Sequence, residues 1–103
     1  MRNFRQGREF SRHVLVPFDR REAISIEVAA GIAGFSAPHM RRLVTQYQLG
    51  RRIGAGAWKV SRVALQLFLN GDWPALRAYH AGDRDHPCVR AEFQRLGMIR
   101  QAA

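Results

Sequence analysis

Apolar residues recur at helical spacing directly after Ser25, whose hydroxyl is suited to capping the N-terminus of a helix. The recurring residues are Ile26, Ala29, Ile32 and Ala33. Gly34 follows where a helix commonly ends in a left-handed residue. The pattern therefore predicts a first helix over residues 26 to 33.

A second helical pattern begins one tight turn later. Ser36 is again a suitable N-cap, and Pro38 stands in the first turn, where a missing N–H is tolerated. The residues that share one side of this segment are Met40, Leu43, Val44 and Tyr47. We therefore predict a second helix over residues 37 to 47.

Two short β-prone segments come next, over residues 49 to 53 and 57 to 60. They flank Gly54-Ala55-Gly56, and glycines tolerate the backbone conformations that a tight hairpin requires. Ser61 then caps a third helix that ends at Asn70-Gly71. The apolar residues of this helix are Val63, Ala64, Leu67 and Phe68.

The two ends of the chain have different patterns. Residues 1 to 12 alternate arginine with polar residues and predict a basic arm. The apolar run at residues 13 to 16, which ends at Pro17, predicts a short edge strand or an extended segment that lies on the domain. Residues 1 to 20 thus form an arm with a short strand, 21 to 71 the central domain, and 72 to 103 a helical extension packed on that domain.

The extension contains two further helical patterns. Asp72 can cap a helix that carries Trp73, Leu76 and Tyr79, and Pro87 opens another that carries Val89, Phe93, Leu96 and Ile99. Both stripes are most simply explained as helices that cover the core, and the alternative is a patch for self-association or for a protein partner.

The charge of the chain indicates which class of partner it binds. The chain has 103 residues, enough for one small domain, with 17 Lys and Arg against eight Asp and Glu. Lys59 is the single lysine, and no acidic residue occurs between Val28 and Gly71. Arginine offers a planar fork suited to phosphate and guanine, so the composition predicts a nucleic-acid partner.

Several classes of protein are disfavoured. Cys88 is the single cysteine, which excludes an internal disulfide framework. No run approaches the roughly 18 apolar residues of a membrane span, and the arginine-rich start lacks the apolar core of a secretion signal. We therefore expect a soluble protein of the cytoplasm, associated with the nucleoid, and no membrane partner.

Neither a metal site nor a catalytic site is predicted. Titratable residues crowd one turn at His80, Asp83, Asp85, His86 and Cys88, but their spacing matches no standard zinc module. A helix cap at Asp85 or His86 explains part of the cluster. No nucleophile–base set, carboxylate pair or phosphate-binding glycine loop can be assembled, so we expect no enzyme and no cofactor.

The central segment has the features of a helix-turn-helix that reads DNA. Such a unit requires a small residue where the helices cross, a glycine-like turn, and apolar residues that hold the second helix while its other face stays polar. Ala30 and Gly34 supply the first two. The polar face carries Pro38, His39, Arg41, Arg42, Thr45 and Gln46, and the helix start at Ser36 suits a phosphate oxygen.

Residues 25 to 69 resemble the winged helix-turn-helix of the excisionase and MerR-type families. The matching runs are SIEVAA (25–30), GFS (34–36), MRRLV (40–44), GAGAWKV (54–60) and RVALQLFL (62–69). The resemblance implies a mostly α fold with a short two-stranded wing and C-terminal helices. It also implies base contacts from Pro38, His39, Arg42 and Thr45, and phosphate contacts from Arg41, Arg51, Arg52 and Lys59.

Two features depart from these families. Gly31 weakens the first helix, and no long heptad helix follows the wing, so the dimerising coiled coil of MerR regulators is missing. A small excisionase-like factor or a single-domain regulator fits better.

The sequence therefore predicts sequence-specific binding of double-stranded DNA without catalysis. The protein would act as a recombination directionality factor or a small transcriptional regulator of a bacterium, phage or mobile element. Its protein partners would be an integrase or RNA polymerase, with self-association on adjacent DNA sites. An RNA-binding or ribosome-associated protein is the alternative, and the charge alone also permits a module that binds an acidic protein.

Overall fold

A computed structural model describes residues 13 to 98, which form five helices and a three-stranded antiparallel sheet. The elements in chain order are β1 (Ala23–Ser25), α1 (Ile26–Ala33), α2 (Ala37–Tyr47), β2 (Gly50–Arg52), β3 (Trp58–Ser61), α3 (Arg62–Leu69), α4 (Trp73–His80) and α5 (Pro87–Arg95). The molecule is thus mostly helical, as the sequence predicts.

Three serines start the first three helices, because each hydroxyl accepts a hydrogen bond from a backbone N–H that has no partner within the helix. Ser25 Oγ accepts from the N–H of Val28 at 3.1 Å. The same bond runs from His39 to Ser36 at 3.3 Å and from Ala64 to Ser61 at 3.0 Å. The predicted bounds of α1 and α2 are confirmed.

The two C-terminal helices also begin at capped positions. Asp72 Oδ1 accepts from the N–H of Ala75 at 3.1 Å and starts α4. His86 Nδ1 accepts from the N–H of Cys88 at 3.2 Å, so His86 rather than Asp85 caps α5. Both helices pack on α3.

The sheet has a strand that the sequence pattern missed. Strands β2 and β3 form the predicted hairpin, and β1 pairs with the other edge of β3, with Ser25 opposite Lys59. The prediction of two strands was incomplete because β1 has three residues and runs directly into the cap of α1. Strand β3 is therefore central and β2 is an edge strand.

The predicted strand at residues 13 to 16 is wrong, because this segment forms a turn. Leu15 has a positive φ of 58°, and both Val14 and Leu15 are fully buried. The apolar run thus belongs to the core instead of a sheet edge. The predicted arm at residues 1 to 12, and Ile99, lie outside the described residues.

The core collects side chains from every helix. It also takes in Val14 and Leu15 from the N-terminal turn and Tyr79 and Phe93 from the predicted C-terminal stripes. Two residues that the sequence pattern assigned to the core are exposed instead: Ile32 is 51% exposed and Trp73 is 43% exposed. Helix α1 therefore faces the core mainly through its smaller residues. Within residues 13 to 98, no helix has the length and apolar character needed to cross a membrane.

Alanine substitutions at two glycines are expected to change stability in opposite directions. A Cβ at Gly50 would lie 2.0 Å from the carbonyl oxygen of Lys59, whereas a Cβ at Gly31 would meet nothing within 4 Å. We expect Gly50→Ala to lower the free energy of unfolding by more than about 2 kcal/mol. Gly31→Ala should raise it by up to about 1 kcal/mol, because alanine favours a helix interior. Urea unfolding measures both, and equal effects would contradict the packing at Gly50.

Candidate nucleic-acid interface

The turn between α1 and α2 fixes how the second helix is presented. Gly34 has a φ of 77°, which favours glycine, and its N–H donates to the carbonyl of Ala30 at 2.8 Å. The N–H of Phe35 donates to the same carbonyl at 3.0 Å. Ser36 then caps α2, so the change of direction is completed within three residues.

Helix α2 divides into a packed side and an exposed side. Met40 and Val44 are fully buried, and Leu43 and Tyr47 are partly buried against the core. The opposite side carries the predicted site residues Pro38, Arg41, Arg42, Thr45 and Gln46, which are exposed, and His39, which is half-buried. The structure therefore brings the predicted α2 residues together on one surface.

Some of these side chains are engaged locally. The His39 ring packs edge-on against Phe35 with 4.8 Å between ring centroids, and Arg42 Nη2 lies 3.4 Å from His39 Nδ1. Thr45 Oγ1 donates to the carbonyl of Arg41 at 3.0 Å. These contacts orient His39 and Thr45, whereas no acidic side chain of the described chain pairs with Arg41 or Arg42.

The C-terminal end of α2 is attached to α4. Gln48 ends the helix with a φ of 57°, and its carbonyl lies 2.8 Å from Nε2 of His80. His80 is 5% exposed, and its burial lowers the pKa of the imidazole below the usual value. A buried neutral histidine therefore helps to fix the helix whose polar face is exposed.

A cleft of about 420 Å³ lies between the start of α1, helix α2 and the β2–β3 hairpin. Arg41, Arg52 and Lys59 all line it, beside the partly buried indole of Trp58. Arg52 Nε donates to the carbonyl of Gly56 at 3.2 Å, which leaves its terminal nitrogens available. Cations from a helix and from the hairpin thus border one concave surface.

Arg51 is the predicted phosphate ligand that the structure uses differently. Its Nε donates to the carbonyl of Val14 at 2.8 Å, and its Nη2 donates to the carbonyl of Leu15 at 3.0 Å. The guanidinium therefore satisfies buried backbone of the N-terminal turn. Sequence reasoning counted the charge of Arg51, but the partner segment is 36 residues away in the chain.

Glu27 is a feature of this surface that sequence reasoning missed. It lines the same cleft as Arg41 and Lys59, yet it has no salt bridge with either of them. The acid-free segment starts one residue later, at Val28, and helical geometry turns Glu27 toward the cleft. A carboxylate in the cleft opposes anion binding there.

The described residues contain no cluster of three or more metal-ligating side chains. No family model matches this chain, and neither a curated protein nor a solved structure is significantly similar to it. The surface around α2 and the cleft consists of cations, short polar side chains and the Glu27 carboxylate.

The buried histidine predicts how stability depends on pH. Because the pKa of His80 is lowered in the native state, the unfolded chain binds the proton more tightly. The contribution of this residue is present above about pH 6.5 and is lost as the pH falls below that value. His13, whose Nδ1 lies 2.9 Å from the His80 carbonyl, is the neighbouring titratable group.

We expect the free energy of unfolding to fall between about pH 7.5 and 5.5 in the wild-type protein, measured by urea unfolding at each pH. His80→Gln preserves a donor toward the Gln48 carbonyl and should show a smaller decrease. His13→Gln is the matched control. An unchanged pH dependence in His80→Gln would contradict the assignment.

Proposed function

We propose that this protein binds double-stranded DNA in a sequence-specific manner, with α1 and α2 as a helix-turn-helix and the β2–β3 hairpin as a wing. The observation that carries the proposal is the exposed polar side of α2, where Arg41 and Arg42 have no acidic partner among the described residues. Its biological output would be the direction of recombination or the regulation of transcription, with an integrase or RNA polymerase as partner.

The dimensions and side chains of α2 suit the major groove, which is wide enough for a helix. Arg42 can donate to O6 and N7 of guanine, Gln46 can pair with adenine, and the Thr45 methyl can contact thymine. Pro38 and His39 stand in the first turn, the part of a recognition helix that commonly meets base edges. Ser36 lies beside the backbone amides that begin α2, which favour a phosphate oxygen.

The β2–β3 hairpin supports binding of a duplex along the cleft beside α2. Arg52 and Lys59 line the cleft together with Arg41, so one phosphate strand along the cleft would meet cations from both sides. An RNA-binding protein commonly presents exposed aromatics on a sheet or loop. Trp58 is the aromatic residue of the described sheet, and it is partly buried against the core. Duplex DNA is therefore the better match.

The first test is selection of duplexes from a random pool, followed by footprinting and a salt titration. Three cations on phosphates, Arg41, Arg52 and Lys59, predict a slope of about −2.7 for log K against log salt. Tandem protected sites would favour a recombination factor, and an inverted pair would favour a regulator. A slope near zero, or tighter binding to RNA than to any selected duplex, would contradict the proposal.

The second test separates base contacts from phosphate contacts. Arg42→Ala should reduce the preference for the selected site by about 1 to 3 kcal/mol, because a bidentate contact to guanine is lost. Lys59→Ala should weaken binding to all duplexes equally and make the salt slope shallower by about 1. Binding of each variant to selected and scrambled duplexes measures the difference. If both substitutions weaken binding to selected and scrambled duplexes equally, Arg42 contacts the DNA backbone instead of a base.

The third test uses the carboxylate in the cleft. Glu27→Gln removes a charge that repels phosphate, so affinity for any duplex should rise by roughly two- to fivefold at low salt. Asp85→Asn changes the net charge equally but lies in the connection between α4 and α5, away from the cleft. If both variants bind equally tightly, only net charge matters and the cleft is not part of the interface.

A further inference from the structure

A buried carboxylate lies at the base of the hairpin and has no part in the surface described above. The Glu22 side chain is fully buried. Its Oε2 accepts hydrogen bonds from Ser61 Oγ at 2.6 Å and from the Tyr79 hydroxyl at 2.5 Å. Ser61 is the last residue of β3 and also the cap of α3, so Glu22 holds the end of the central strand.

Tyr79 connects this carboxylate to the N-terminal turn. Its hydroxyl donates to Glu22 and accepts from the N–H of Leu15 at 2.9 Å. Burial and the adjacent negative charge of Glu22 raise the pKa of Tyr79 well above its usual range. The hydroxyl therefore keeps its proton and remains a donor at any physiological pH.

Arg51 completes the connection back to the hairpin. It lies on the edge strand β2, opposite Lys59, and its guanidinium binds the carbonyls of Val14 and Leu15. Each strand of the hairpin is therefore held by contacts with residues outside the hairpin. Glu22 and Tyr79 hold β3, and Arg51 holds β2 against the turn that Tyr79 also binds.

Arg84 lies beside the Glu22 carboxylate and also contacts the N-terminal segment. Its Nη2 donates to the carbonyl of Val16 at 2.9 Å and lies 4.0 Å from Glu22 Oε1, which has no hydrogen-bond partner. The guanidinium carbon lies 4.2 Å from the centroid of the Phe93 ring. The connection between α4 and α5 thus shields the carboxylate that holds the strand.

We propose that Glu22, Tyr79 and Arg51 are positioning residues for DNA binding, which set the hairpin so that its cations face the same phosphates as α2. The proposal rests on the proposed function. None of these three side chains lines the cleft, so they act through Arg52 and Lys59. A two-stranded hairpin alone is marginally stable. This one is fixed by β1 paired with β3, by Tyr79 of α4 and by the N-terminal turn that Arg51 binds. The C-terminal helices would therefore contribute to DNA affinity without touching DNA.

The test is Tyr79→Phe, which keeps the ring and removes the hydroxyl. If the hairpin loses its orientation, the salt slope should become shallower by about 2, and affinity for all duplexes should fall roughly tenfold. Base preference, which comes from α2, should persist. Val89→Ala is the control, because Val89 is fully buried in α5 but lies outside the hydrogen-bonded set. Simple destabilisation lowers the active fraction without changing the slope.

Arg51→Gln is the second variant, measured in the same way if Tyr79→Phe does not fold, and Arg51→Lys should restore part of the slope. A wild-type slope in a folded Tyr79→Phe or Arg51→Gln protein would overturn the inference while leaving DNA binding intact. Failure of the wild-type protein to bind any duplex would instead reject the proposed function. An altered slope in Val89→Ala would also overturn the inference, since positioning would then not be specific.

Discussion

The structure depends on a buried charge. A carboxylate removed from water is costly unless donors surround it, and Glu22 receives the hydroxyls of Ser61 and Tyr79 on one oxygen. These donors come from the end of β3 and from α4, and the Glu22 carbonyl accepts from the N–H of Arg62 at 2.9 Å. Each segment must therefore be in place before Oε2 gains its hydrogen bonds, while Oε1 lies 4.0 Å from the Arg84 guanidinium. That requirement joins the N-terminal turn, the sheet and the C-terminal helices into one unit.

Among residues 13 to 98, Glu22 is a fully buried acid, whereas most of the arginines are exposed. Arg51 is the exception among the predicted ligands, because it satisfies backbone carbonyls that burial would otherwise leave without donors. The other predicted cations, Arg41, Arg42, Arg52 and Lys59, form no salt bridge within the described chain. Cations without a salt bridge are thus present on both α2 and the hairpin.

The sequence predicted the elements that have local signals. Serine caps, a glycine at a positive φ and helical spacing gave the bounds of α1 and α2, since these features act within a few residues. Strand β1 was missed because three residues carry no alternation, and residues 13 to 16 were misassigned because a buried turn and a strand have the same apolar composition.

The same distinction holds for the candidate site. The polar side of α2 could be predicted, since it follows from helical spacing within one segment. The internal role of Arg51 and the position of Glu27 beside Arg41 could not, because both depend on contacts between distant segments. Ile32 illustrates a further limit, since helical spacing shows that a residue shares a face but not whether a neighbour covers that face.

The edge strand has a consequence for how this protein behaves at high concentration. An uncovered sheet edge can pair with another chain and seed aggregates. Strand β2 has only three residues, and two of them are arginines whose like charges repel an identical edge. Because Arg51 is also tied to the N-terminal turn, the strand cannot easily lengthen. The side chain that orients the hairpin therefore also protects the β2 edge of the sheet against pairing with another chain.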